Sequence, residues 1–371
     1  MGERVLVTGG AGFIGRAVTT ELLARGNQVR VLDSLIEQVH GDCEYPQDLP
    51  ADAELIRGDI RNKNIVARAL RNVDSVVHLA AEVGVGQSMY AVERYTSVNE
   101  VGSAVLFEAL IEQPVRRVVT ASSMSIYGEG LYVDADGNRV EDAERQPRTS
   151  SDQSWEPLDA QGRPLRPVPT PEWKRPSLSS IYALGKYVQE RQTLMMTRAY
   201  AMEGVCLRLF NVYGPGQALS NPYTGVLAIF ASRLLNGQPP LIFEDGEQRR
   251  DFVHVGDVAR AFADALVSPH ADGEVFNIGS GNDRSVANVA GALAQAMNCD
   301  GVGPEIAGKS RIGDIRHCFC DGSKAAAQLG FTVRVDFQQG LAELAEWVAS
   351  QTADDRVDQA RAELEARGLV A

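Results

Sequence analysis

Thr8-Gly9-Gly10-Ala11-Gly12-Phe13-Ile14-Gly15 lies between a short apolar run, Arg4 to Val7, and an amphipathic pattern from about 13 to 25. Glycines at a strand-to-helix junction with this spacing have distinct uses. The first allows a tight turn, the second lets backbone approach a pyrophosphate, and the third lets the helix pack against the strand. Asp33 closes the next strand-like run, Val29 to Asp33, 18 positions after Gly15. A carboxylate there can accept both hydroxyls of an adenosine ribose, and neither Ser34 nor Leu35 offers a cation for a 2′-phosphate. The loop therefore predicts an NAD site, with Gly9, Gly12, Phe13, Ile14 and Asp33 as cofactor contacts.

Outward from that loop, strand candidates continue at Leu55 to Gly58, Ser75 to Ala80, Arg117 to Ser122 and Val205 to Tyr213. Helical patterns alternate with them near 64 to 71, 91 to 112 and 179 to 202. Strands and helices in alternation produce a parallel sheet covered on both faces. The expected fold is α/β: a Rossmann-type doubly wound parallel sheet with a smaller mixed α/β lobe for a substrate. The rhythm breaks between Gly128 and Ser179, where Asp134-Ala135-Asp136-Gly137-Asn138 and Asp159-Ala160-Gln161-Gly162-Arg163 read as two tight hairpins.

After Gly214 the segments shorten: a helix from about Val226 to Asn236, strands near 241 and 275, and a helix that Ser285 caps. These patterns predict an NAD-binding domain over 1–214 with a hairpin-rich insert at 128–179. A substrate lobe follows over 215–352, from which about 245–270 returns to the first domain. Over 353–371, Val357, Ala360 and Leu364 form one stripe of a helical tail, read as a frayed amphipathic end.

Composition excludes several classes. The chain has 371 residues, 44% of them hydrophobic and 23% charged, enough for a large core. No apolar run approaches the ~20 residues that span a bilayer, and no signal core opens the sequence, so it reads as cytoplasmic with no membrane contact. A formal net charge of −13 repels nucleic acid, so any anionic ligand must be held locally. The five cysteines, at 43, 206, 299, 318 and 320, form no CxxC pair and do not cluster with the five histidines, which predicts free thiols and no metal.

Further contacts follow from position. Asp59 and Ile60 after the third strand can frame an adenine, Leu79, Ala80 and Ala81 after the fourth are small enough to border the cofactor, and Asn99 interrupts an apolar helix face. Tyr182 and Lys186, four apart, share one helix face. A free phenol has a pKa near ~10, so a tyrosine base needs roughly 4 kcal/mol of differential stabilisation to work near neutrality. The Lys186 ammonium and a positive nicotinamide can supply it, and Ser123 can hydrogen-bond the reacting hydroxyl.

Together these motifs resemble the extended short-chain dehydrogenase/reductases of the NAD-dependent epimerase/dehydratase family, from about residue 4 to 350. The similarity is carried by the Gly9 to Gly15 loop, His78-Leu79-Ala80-Ala81, Ser122-Ser123-Met124-Ser125-Ile126-Tyr127-Gly128, Tyr182 with Lys186, Arg208 to Pro215, Arg250 to Val255, and Arg311 with Gly313-Asp314. The resemblance implies Ser123, Tyr182 and Lys186 as the catalytic group. It implies Asn211, Arg250 and Arg311 around the diphosphate of a dTDP- or UDP-sugar, with Glu82, Ser88, Ser125 and Val226 completing the substrate site. It also implies a homodimer through the helices up to and including that of Tyr182, for which Ala104 to Leu110 offers an apolar face.

Dehydrating members of that family carry an acidic pair after the catalytic serine or threonine, and decarboxylating ones keep a glutamate at the second of those positions. This chain has Met124 and Ser125 there. The resemblance thus implies a nucleotide-sugar 4-epimerase, nearest to dTDP-L-rhamnose 4-epimerase-type proteins. The alternatives are a one-way 4-ketoreductase or dehydrogenase, or a UDP-glucuronate-type 4-epimerase/decarboxylase. In some such relatives the two hairpins bear cysteine pairs suggestive of zinc. Here they have Asp134, Asp136 and Asp159, which implies hairpins without metal. Cys318 falls where the family leaves room beside the sugar's C2 substituent.

Overall fold

Seven parallel strands form the central sheet in the spatial order Val275–Ile278, Glu203–Leu209, Arg117–Ser123, Ser75–His78, Arg4–Thr8, Gln28–Asp33 and Glu54–Arg57. The computed structural model describes all residues except 1, 44, 47, 146–153, 312 and 371. The strands carry near-continuous apolar runs because both faces are covered. Helices Phe13–Ala24 and Val255–Val267 bury Val18, Leu22, Val258 and Phe262 on one face. Helices Lys63–Ala69 and Gly102–Glu112 bury Val66, Leu106 and Leu110 on the other. The strand order reverses between Arg4–Thr8 and Ser75–His78, the place where α/β sheets bind ligands at their carboxyl ends.

Most of the expected elements lie within a few residues of their predicted bounds, and three differ in kind. The run Val205 to Tyr213 is two strands. Leu209 ends its pairing in the main sheet, and Asn211–Tyr213 then pairs with Phe252–His254 in a second sheet, which sets Asn211 at the junction of the two. The strand near 275, read as part of the smaller lobe, is the edge of the main sheet, because Val275–Ile278 pairs in parallel with Cys206–Leu209. The helix expected over 91 to 112 is Val92–Thr96 and Gly102–Glu112 with a π-helical turn, Ser97–Val101, between them. Such a turn inserts one residue into the helical period and is common at functional sites.

The smaller lobe packs helices Val226–Leu235, Val286–Ala296 and Phe337–Ala349 around Phe230, Leu293 and Leu344. Ser285 caps the second of these by accepting from Asn288 N. In the insert, Leu131–Val133 pairs antiparallel with both Arg139–Val140 and Arg166–Val168. Its two tight turns are closed by Asp134 N to Asn138 O and Asp159 N to Arg163 O. Arg163 then ties one turn to the other, reaching Asp159 at 2.7 Å and Asp136 at 2.9 Å. Among the described residues no helix is long and apolar enough to cross a membrane, and no group of three or more His, Cys, Asp or Glu could hold a metal ion.

Helix Ile181–Ala199 is fixed to the sheet by buried charge. Arg208 donates to both oxygens of Glu190, at 2.9 and 2.7 Å, and to the hydroxyl of Tyr127 at 2.8 Å. Ser122 donates to the same carboxylate at 2.7 Å. Removing one partner of such a pair leaves an uncompensated charge in the interior. Arg208→Met should therefore destabilise the chain by about 3–5 kcal/mol in chemical denaturation, a loss that an unchanged midpoint would contradict.

Candidate active site

A cleft of about 820 Å³ runs along the carboxyl ends of the central strands and into the smaller lobe. Its first wall is the glycine loop. Gly9 has φ +69°, and a side chain on it would strike Ala80 N at 2.8 Å, so the loop lies directly on the Leu79–Ala81 segment. At Gly15 an added Cβ would meet Gly9 O at 2.3 Å, which is why the helix can start so close to the strand. Gly12 caps helix Phe13–Ala24 without any side-chain bond. The first-turn N–H groups are thereby left for a ligand, and their partial positive charge suits a pyrophosphate.

Asp33 stands at the far edge of this wall. Its carboxylate accepts from Ala11 N at 3.1 Å and Leu35 N at 2.9 Å, so it is held in place before any ribose arrives. His40 lies 3.7 Å from it, and Arg16 lines the cleft nearby; sequence reasoning singled out neither. Asp59 and Ile60 also line the cleft. The Asp59 carboxylate is held by Arg61 at 2.6 Å, which keeps its pKa below the usual value and leaves the backbone and Ile60 to form the surface. Together the uncapped loop and the fixed carboxylate fit the phosphate and ribose of NAD.

The second wall carries Ser123, Ser125, Tyr182 and Lys186. Ser123 ends its strand and caps the short turn Met124–Tyr127, and Ser125 donates to its hydroxyl at 2.9 Å. Tyr182 lies one residue into helix Ile181–Ala199, whose cap is Ser180. Burial pushes the Tyr182 phenol up, and a hydrogen bond with Ser123 works in the opposite direction. Burial pushes the Lys186 ammonium down to about 7. Lys186 donates to Gln189 Oε1 at 2.7 Å, and the Gln189 amide donates to Ala80 O at 3.2 Å and Ser103 Oγ at 2.9 Å. Ser103 is bonded in turn to His78, which burial, with the charge of Lys186, holds neutral with a pKa of about 3. Gln189 was not anticipated; its position three after Lys186, on the same helix face, is the signal that could have found it.

The third wall belongs to the smaller lobe. Asn211, Val226, Arg250 and Arg311 all line the cleft. Asn211 Oδ1 is buried without a hydrogen-bond partner, as is Oε1 of the unanticipated Gln217, so both point to a polar ligand. Gly225 caps the helix starting at Val226 with no side-chain bond, leaving another set of N–H groups at the cleft. Arg250 is braced by the carbonyls of Ile315 and Arg316. Arg311 pairs with Asp314 at 2.8 Å and stacks on Phe243.

Three expected contacts do not face the cleft. Asn99, in the π-helical turn, is fully buried and clamps the backbone of Glu82, accepting from its N–H at 2.7 Å and donating to its carbonyl at 3.1 Å. It positions Glu82, which does line the cleft with its carboxylate paired to Arg94 at 2.7 Å. Ser88 is fully buried and spends its hydroxyl on Val85 O. Cys318 packs with Met124, Ile126 and Phe210 behind the wall, and burial pushes its thiol up to about 12. The tail is also placed differently from a frayed end. Helix Val357–Ala366 docks over the cleft, which Val357, Ala360, Arg361 and Leu364 line.

Comparison with known proteins agrees with this geometry. The model of the NAD dependent epimerase/dehydratase family matches residues 5–152 and 162–279. The chain is similar to a dTDP-L-rhamnose 4-epimerase of Burkholderia thailandensis, 35% identical over 355 residues covering 94% of this chain and 96% of that protein. Its structure is similar to that of a UDP-glucose 4-epimerase from Thermotoga maritima with UDP-glucose, at 30% identity and a TM-score of 0.76, covering 93% of this chain and 98% of that one. A UDP-glucose 4-epimerase of Thermus thermophilus, in complex with NAD, superposes with a TM-score of 0.72 at 32% identity over 94% of this chain and 100% of its own.

The lowered pKa of Lys186 has a measurable consequence in the cofactor-free protein. The folded chain loses this proton as pH rises through about 7, whereas an unfolded chain keeps it to about 10.4. Between those values the unfolded state binds more protons, so stability rises with pH. Lys186→Met should remove that rise: its melting temperature exceeds that of the wild type most at or below pH 7, and the gap narrows toward pH 10. A constant gap across this range would show that Lys186 is not buried as a charge.

Proposed function

The chain belongs to the NAD dependent epimerase/dehydratase family and takes NAD as its cofactor, and from that premise we propose that it is a nucleotide-sugar 4-epimerase acting on a dTDP- or UDP-hexose. The observation that carries this reading is the wall formed by Ser123, Tyr182 and Lys186, where the two residues after Ser123 are not acids. Met124 is buried in apolar packing and Ser125 spends its hydroxyl on Ser123. No carboxylate stands there to drive loss of water. Similarity to a relative named dTDP-L-rhamnose 4-epimerase supports the dTDP-sugar class.

In this reading Tyr182 takes the proton from the sugar's C4 hydroxyl, and Ser123 hydrogen-bonds the same oxygen as it becomes a carbonyl. The Lys186 charge favours the phenolate over the phenol. NAD, when bound, supplies hydride acceptance and return at C4. Asn211, Arg250, Arg311 and the helix start at Val226 hold the diphosphate, guanidinium forks suiting phosphate despite the acidic whole. The sugar, pivoting on that anchor, presents its other face, and Tyr182 returns the proton.

The proposed homodimer uses the helices expected, up to and including that of Tyr182, but not the Ala104 to Leu110 face. Val105, Leu106, Phe107 and Leu110 are buried in the chain's own core, so the stretch Ala104 to Leu110 is not free to pair. Val101, Leu184 and Met195 are exposed by 51%, 39% and 55% on neighbouring helices, and a second copy of the chain would cover them. Met195→Glu should shift the sedimenting species from dimer to monomer; a wild-type chain that sediments as a monomer refutes the pairing.

Tyr182→Phe should abolish turnover while NAD content and melting temperature stay near wild type, because only the proton-transfer group is lost. The reaction itself is tested by a C4-deuterated hexose nucleotide, without added reductant. Epimerisation keeps the label at C4 of the inverted product, and heavy water introduces none. Solvent deuterium at C5, or turnover only with stoichiometric NADH, would replace the epimerase with one of its relatives.

A further inference from the structure

Helix Val357–Ala366 crosses from one side of the cleft to the other. At its start, Asp354 N donates to Ser220, and Asp355 and Asp358 each lie 3.4 Å from Arg233, which belongs to helix Val226–Leu235. At its end, Leu364 packs over Gly86 in the segment that follows Glu82. Glu363 accepts from the hydroxyls of Tyr90 at 3.1 Å and Tyr223 at 3.2 Å, which are themselves 2.7 Å apart. One of these tyrosines follows the main sheet's fourth strand and the other precedes the smaller lobe's first helix, so Glu363 joins the two rims. Beyond the helix, Val370 forms an antiparallel bridge with the backbone of Arg311, whose side chain lines the cleft.

These attachments hold the helix without locking it. Only Ala360 and Leu364 are buried on it. Glu365 with Lys309 at 3.0 Å and Arg361 with Glu305 at 3.8 Å are partly exposed pairs, where each contributes little, and the pair of Asp358 with the buried Arg233 ties the helix to a buried charge. The apolar stripe faces the cleft rather than solvent. With only Ala360 and Leu364 buried on it, the helix gives up little apolar contact when it leaves the cleft.

We propose that this helix is the closing wall of the nucleotide-diphosphate site, a strap that swings away for entry and then retains the bound nucleotide. The proposal rests on the nucleotide-sugar reading above. Arg311 couples the two: a diphosphate on its guanidinium fixes the residue whose backbone bridges Val370, so bound ligand favours the docked strap. Val357, Ala360, Arg361 and Leu364 are then part of the substrate site.

The test compares the full NAD-loaded chain with one ending at residue 352 and with the full-length variants Glu363→Ala and Leu364→Ser, using UDP and dTDP as probes. Calorimetry gives affinity, displacement in stopped flow gives release, and denaturation gives NAD per chain. The truncated chain should bind nucleotide about tenfold more weakly, from loss of the Ala360 and Leu364 contacts, with faster release and unchanged NAD. The two point variants should shift in the same direction by a smaller factor, and they decide the matter should the shortened chain not fold. Affinity and release equal to the full chain in these variants overturn the strap alone. A full chain that binds neither nucleotide overturns the nucleotide-sugar reading, and the strap with it.

Discussion

Everything at the catalytic wall depends on where helix Ile181–Ala199 sits, and the buried pair of Glu190 with Arg208 is its charged tie to the sheet. Glu190 is eight residues on from Tyr182, a little over two turns, and Arg208 belongs to the strand beneath. The guanidinium has donors to spare after binding Glu190, and they reach Tyr127 and the carbonyl of Glu172 in the insert. Ser122, beside Ser123, completes the carboxylate's bonds. One pair thus sets helix, strand end and insert relative to one another. Such a pair is a poor source of net stability, since an apolar replacement of equal volume does as well. Its value here is directional: it ties the helix of Tyr182 to the strand that pairs with that of Ser123.

Charge elsewhere follows the same rule of local commitment. The chain carries a net −13, yet the walls of the cleft hold Arg250 and Arg311. Acids near them are already engaged: Asp314 by Arg311, and Glu244 by both Arg145 and Arg316. Arg250 has no carboxylate of its own among its hydrogen bonds and is braced by backbone carbonyls. A guanidinium oriented by neutral acceptors keeps its full charge for an anion. The bulk acidity therefore repels polyanions at long range without weakening a diphosphate site at short range.

Much of this was legible in the chain. The glycine loop, the alternation of strands and helices, and Tyr182 with Lys186 rest on local spacing, which survives folding, and Ser123 was legible from its place at the end of a strand. What failed to show was whatever depends on partners far away in sequence. Val205 to Tyr213 reads as one strand-forming run in which Arg208 and Asn211 are the polar positions, so the change of sheet at Phe210 leaves no mark on its pattern. Asn99 sits where the helical period slips by one residue, and that slip turns it toward Glu82 instead of the cofactor. The stripe of Val357, Ala360 and Leu364 was visible, but its destination was not, because Glu363 meets Tyr90 across 273 positions. The two acidic hairpins were readable as turns, and only the fold shows Arg163 joining them.

The proposed reaction asks opposed things of one cleft. The nucleotide must stay while the hexose turns over, so the anchor has to be rigid and the sugar's surroundings smooth. The lining divides along that line. At the diphosphate end stand unpartnered Asn211, the braced arginines and an uncapped helix start. In the proposed reaction the sugar lies past Ala80 and Ala81, where Val83, Gly84 and Val85 offer a turning ring little to catch on. Polar atoms that lie there are spent on the protein itself: the Glu82 carboxylate on Arg94, its backbone on Asn99, the Ser88 hydroxyl on Val85. In the proposed reaction, buried groups that face away from the cleft thus remove hydrogen-bonding options from the sugar's path and leave Ser123 and Tyr182 to meet its C4 oxygen.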